Sequence, residues 1–157
     1  MITLATLHQA TAQQVFEHVA RHLITQNKKS EDYETQTCKY RDCGQKCAAG
    51  CLMSDEEYSF WFEGREWEHL VAAGLVPDCH GELISRLQTV HDKSNPPQWR
   101  AKLQLLAKEL SLRFSEDLFS HPAVENEATD QELTDQEIES ALSMVENTGQ
   151  ILATCGA

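Results

Sequence analysis

The sequence predicts a mostly α-helical fold, a small helical domain with a short β-hairpin, followed by an acidic C-terminal helical extension. Three observations carry this. Apolar residues recur at helical spacing in five segments. Capping signals stand ahead of the first and last of these. Basic residues stop at Arg113, while acidic ones continue to the end. The boundary drawn from these features separates a compact mainly helical domain, 1–113, from an acidic linker and C-terminal helix, 114–157.

The first helix opens on a T-x-x-Q capping box, Thr11 with Gln14. Val15, Phe16, Val19, Ala20, Leu23 and Ile24 share one face, and Asn27 suits the end. Residues 28–37 are polar and read as a loop. Residues 39–41 suit a short strand, and Gly44 marks a turn after it. Residues 46–53 fit a short buried helix as well as a strand. Ser54 with Glu57 forms a second capping box, opening a helical turn at Asp55. Tyr58, Phe60, Trp61 and Phe62 make a dense aromatic group. Residues 66–73 read as a helix with Trp67, Leu70 and Val71 inward and Gly74 as its stop. Residues 81–91 carry Leu83, Ile84, Leu87 and Val90 on one face. Pro96 and Pro97 start the next helix, whose inward face is Trp99, Leu103, Leu106 and Leu110. Residues 115–130 lack a period and contain Pro122, as a linker does. Thr134 with Glu137 is a third capping box, ahead of Ile138, Ala141, Leu142 and Val145.

At 157 residues the chain suits one domain with a modest core. No apolar run is long enough to span a membrane. The start, MITLATLHQATAQQ, lacks the basic and apolar regions of a signal peptide. A cytoplasmic location is expected, and with it reduced thiols. The net charge is −12. Through Arg113 there are 13 basic and 15 acidic residues, and beyond it 10 acidic and none basic. Such asymmetry speaks about partners. It argues against direct nucleic-acid binding, which needs clustered Lys and Arg, and for a protein with a basic surface.

The string Cys38-x-Tyr40-Arg41, a Gly-bearing turn, Lys46-Cys47-Ala48-Ala49-Gly50-Cys51-Leu52, then Asp55 and Tyr58, resembles a group of small phage and prophage proteins. The resemblance continues through Leu83-Ile84, Leu87-Gln88, Val90-His91-Asp92, Pro97 and Trp99, and covers roughly residues 11–112. It implies a gene carried by a phage or mobile element. Small accessory proteins of that kind act by binding host machinery, defence systems included.

Four of the six cysteines lie at Cys38, Cys43, Cys47 and Cys51. With His80 and His91 they would supply the ligands of a structural zinc site, or line a small-molecule site, although tight C-x2-C knuckles are absent. Packing is the favoured reading, since free cysteine behaves as a small hydrophobe and Ala48-Ala49-Gly50 lets another element approach closely. The aromatic group at 58–62 is the expected neighbour. No cofactor is therefore expected, with zinc as the alternative. A third reading makes Cys47 a nucleophile with His80, or with His91 and Asp92, as base and orienting group. No sequence signature supports it, and no catalytic residue is assigned. His18 and His22, four apart, read as a solvated helix flank. Trp61, Trp67 and Trp99 read as core.

The last helix would place Glu132, Asp135, Glu137 and Glu139 outward beside the apolar Ile138 and Leu142. That stripe needs something to pack on, whether its own domain, a second copy of the chain or a partner's groove. The expectation for function is a non-enzymatic phage-type accessory protein that inhibits a basic host protein, such as a defence complex, by imitating nucleic-acid charge.

Overall fold

The computed structural model describes residues 2–116. Four α-helices and one two-stranded antiparallel hairpin make up the regular elements there. The expected acidic extension, with Glu132, Asp135, Glu137, Glu139, Ile138 and Leu142, lies outside the described residues.

Helix α1, Ala12–Gln26, starts where the capping box predicts. The Gln14 N–H donates to Thr11 Oγ1 over 3.2 Å, and the Thr11 N–H donates to Gln14 Oε1 over 2.9 Å. It stops at Asn27, whose φ of 46° is a left-handed cap. Its face of Val15, Phe16, Val19, Ala20 and Leu23 is buried. The hairpin pairs β1, Arg41–Asp42, with β2, Gln45–Lys46. Both turn residues, Cys43 and Gly44, have positive φ, as a tight two-residue hairpin turn requires. Helix α2, Trp67–Ala72, buries Trp67 and Leu70. Helices α3, Gly81–Lys93, and α4, Pro96–Glu109, follow, joined by Ser94 and Asn95. Helix α1 packs on α3, on α4 and on a 3-10 turn at Gly50–Leu52, and α3 also packs on α2 and α4.

Between β2 and α2 the chain is irregular but tightly bonded. The box at Ser54 and Glu57 forms, with Ser54 N–H to Glu57 Oε2 at 2.8 Å, yet it caps a single turn closed by Tyr58 N–H to the Ser54 carbonyl. The other Glu57 oxygen accepts from the Ala5 N–H at 2.7 Å, so this carboxylate anchors the N-terminal segment. Beyond α4, Gln13 brackets the backbone of Arg113: its Oε1 accepts the N–H at 2.8 Å and its amide donates to the carbonyl at 2.9 Å. Phe114 then meets Phe16 edge-on, with ring centroids 6.4 Å apart.

Three expectations need correction. Trp67 and Trp99 are fully buried, but Trp61 is 77% exposed and Phe60 73% exposed. A 3-10 turn, Phe60–Phe62, carries these residues. Its three residues point in three directions about 120° apart, so only Phe62 enters the core. His18 and His22 are not a solvated flank, since both are partly buried and bonded to backbone carbonyls. His22 Nε2 donates to the Lys46 carbonyl at 2.9 Å, and His18 Nε2 lies 3.3 Å from that of Cys51. The small-residue run does permit a close approach, but to Tyr40: a Cβ at Gly50 would lie 2.0 Å from the Tyr40 carbonyl oxygen.

Candidate functional site

Two features stand out from the helical scaffold. The first is the aromatic turn at Phe60–Phe62. Ser59 caps it by accepting from the Trp61 N–H at 3.4 Å. The Glu63 carboxylate fixes its far end. It accepts from the Tyr40 N–H at 2.9 Å, the Arg41 N–H at 3.1 Å and the Tyr58 hydroxyl at 2.8 Å. Arg41 lies over the Tyr58 ring, 4.8 Å from its centroid, and ion-pairs with Asp55 at 2.6 Å. Two adjacent large aromatic side chains therefore project to solvent from a turn pinned on both sides. Asp55, Glu56, Arg65, Glu66 and Glu68 are exposed and flank them in sequence. The exposure is hard to read from sequence, because Phe-Trp-Phe has the composition of a core segment.

The second feature is a group of ligand-type side chains. Residues 28–40 fold back on themselves through a bridge between Glu31 and Cys38. Asp32 braces the fold, ion-pairing with Lys39 at 2.7 Å and accepting from the Glu34 and Thr35 N–H groups. This sets Cys38 beside the last turn of α3. There the ligand atoms of Cys38, His91 and Asp92 all lie within 4.8 Å of one another, the one such group among the described residues.

His91 is fully buried and stacks on Trp99, with centroids 5.4 Å apart and planes at 24°. Its Nε2 accepts the Ser30 N–H at 3.1 Å. A backbone amide can only donate, so the proton sits on Nδ1, which donates to Asp92 Oδ1 at 2.7 Å. Burial, with the Asp92 charge added, pushes the Cys38 thiol up to about 12. Cys38 and Asp92 line a cavity of about 480 Å³, with Tyr40, Cys47 and Gln88 among the other walls.

Of the six expected ligands, the fold thus joins Cys38 and His91 and adds Asp92. The others have separate places. Cys43 is exposed in the hairpin turn. Cys47 is buried, its Sγ accepting the Gly50 N–H at 3.3 Å, and burial pushes its thiol up to about 12. Cys51 donates its thiol proton to the Ala48 carbonyl at 3.2 Å. His80 Nε2 donates to the Ala10 carbonyl at 2.8 Å. No helix among the described residues is long and apolar enough to cross a membrane. Compared with known proteins, the chain matches no family, no curated protein and no solved structure.

Proposed function

We propose that this chain is a protein-binding factor of the phage accessory type, which acts in the bacterial cytoplasm by occupying a basic surface of a host protein. The observation that carries this reading is the exposed Phe60 and Trp61 pair on its pinned turn. Burying one such side chain contributes roughly 1.5–3 kcal/mol, which a domain of this size ordinarily takes for its own core. Trp is enriched among the residues that dominate binding energy, and a rigid turn lowers the ordering cost of docking.

Charge selects the partner. The whole chain carries −12, most of it beyond Arg113. A second copy would be repelled, whereas an apolar pocket rimmed by Lys and Arg would be steered in. Glu132, Asp135, Glu137 and Glu139, with Ile138 and Leu142, would extend the contact and imitate a nucleic-acid strand. Inhibition of a defence complex follows from the phage-type resemblance. Binding is favoured over cysteine catalysis because the Cys47 thiol is buried, raised and already engaged.

The test uses tagged full-length chain in bacterial lysate, read by native mass spectrometry. The wild type is expected to retain a defined basic protein, and Trp61→Ala to lose it with its fold unchanged. Equal capture by both forms would remove the aromatic pair from the proposal. Loss of capture on converting Glu132, Asp135, Glu137 and Glu139 to their amides would assign the extension its share.

A further inference from the structure

We infer that Cys38, His91 and Asp92 form a binding site for a single borderline-soft divalent cation, zinc or cobalt, with a fourth position open to the adjacent cavity. The ligand set is one thiolate, one imidazole and one carboxylate. Sulfur and nitrogen donors favour zinc-like ions over magnesium or calcium, and three protein ligands with one open position is a known zinc arrangement.

Placement argues for the site as much as composition does. Cys38 comes from the folded-back loop, while His91 and Asp92 come from the end of α3, so the group ties two elements together across sequence. Cys38 and Asp92 face the cavity and give an ion a way in. His91 is held from behind by Trp99. Without a metal, the Cys38 thiol keeps its proton beside the Asp92 carboxylate.

Metal entry exchanges those protons. The Cys38 thiol proton leaves to solvent and a thiolate–metal bond forms. The His91 proton moves from Nδ1 to Nε2, freeing the Nδ1 lone pair for the metal. Asp92 contributes a carboxylate oxygen that now bonds the ion instead of accepting from Nδ1. One doubly charged ion enters, one proton is released, and the three ligands with their metal are neutral. The protonated Nε2 can no longer accept from the Ser30 N–H, so Ser30 must turn to solvent or to another acceptor. Metal binding is thereby coupled to the conformation of residues 28–40. This inference is independent of the aromatic turn.

The experiment is titration of the chelator-stripped full chain with cobalt(II), then with zinc in competition. Expected are one ion per chain, a thiolate-to-cobalt charge-transfer band, one proton released per ion at neutral pH, and faster hydrogen exchange at the Ser30 amide. Cys38→Ser should lose the charge-transfer band with its far-ultraviolet dichroism unchanged, and Cys43→Ser should keep it. Should Cys38→Ser fold poorly, Asp92→Asn serves as a second variant: its amide oxygen still accepts from His91 Nδ1, and its cobalt affinity should fall. Absence of the band in the wild type, its persistence in Cys38→Ser, or full affinity in Asp92→Asn would overturn the inference.

Discussion

At Gly50 two backbones meet. The Tyr40 carbonyl oxygen accepts the Cys47 N–H at 3.0 Å and occupies the space where a Gly50 side chain would begin. Gly50→Ala must push the two segments apart, and the expected cost is about 3 kcal/mol or more, at the upper end of overpacking. Urea unfolding of the variant measures it, and a cost below 1 kcal/mol would contradict the packing described. Trp67 and Trp99 offer a paired comparison at the same scale. Both are fully buried, but Trp99 Nε1 donates to the Ser94 carbonyl at 3.2 Å while Trp67 Nε1 has no hydrogen-bond partner. An unpaired buried donor costs roughly 1–3 kcal/mol. Trp67→Phe removes that penalty along with ring volume, whereas Trp99→Phe strands a carbonyl. Trp99→Phe is expected to be the more destabilising by about 1 kcal/mol or more, checked by the same unfolding measurement.

Among the elements, α1 does more than bury an apolar face. Its polar side also reaches β2 at Lys46. Gln26 Oε1 accepts the Lys46 N–H at 3.0 Å and its amide donates to the Lys46 carbonyl at 3.0 Å, so a side chain takes the place of a strand neighbour. His22 donates to the same carbonyl. Burial lowers the His22 pKa below 6.5; the Lys46 carbonyl opposes this, and His18, Lys46 and His91 add to it. Above about pH 6.5 the imidazole is neutral whether the chain is folded or not, and its contribution is intact. Below that, the unfolded chain takes up the proton first, and stability falls until the lower folded pKa is reached. Wild type is therefore expected to lose more stability between pH 7.5 and pH 5.5 than His22→Gln, which keeps a donor to Lys46. Parallel urea curves at the two pH values would show it, and equal losses would exclude His22 as the cause.

α1, α3 and α4 were legible in the sequence, because an apolar period of 3.6 and a cap or proline at the boundary agree on each. The turn at Cys43 and Gly44 was legible from its glycine. The direction of Phe60 and Trp61 was not, because composition carries no sign for inside or outside in a turn too short to have a period. Nor was the meeting of Cys38 with His91, since it depends on how residues 28–40 fold back, which polar loop sequence does not encode locally. His18 and His22 were placed on the correct helix, but their acceptors are backbone carbonyls that no side-chain pattern announces.

For the molecule as a whole, charge and aromatic exposure are expected to act on different kinetic steps. Long-range attraction governs encounter, and close packing governs escape. Measured against the captured partner, raising the salt concentration should mainly slow association. Trp61→Ala should mainly speed dissociation, with fold stability within about 0.5 kcal/mol of wild type because the side chain is exposed. A Trp61→Ala variant that alters only association would refute that division.

The bracket that Gln13 places around Arg113 joins positions 100 residues apart. As the polypeptide leaves a ribosome, α1 emerges early, but Phe114, whose ring meets Phe16, and the Arg113 backbone that Gln13 holds emerge about 100 residues later. At roughly 5–20 residues per second, the apolar stripe of α1 stands without its final cover for about 5–20 seconds. During that interval the exposed apolar face is a place for chaperones to hold the nascent chain, and translation past Arg113 supplies the contacts that would cover it.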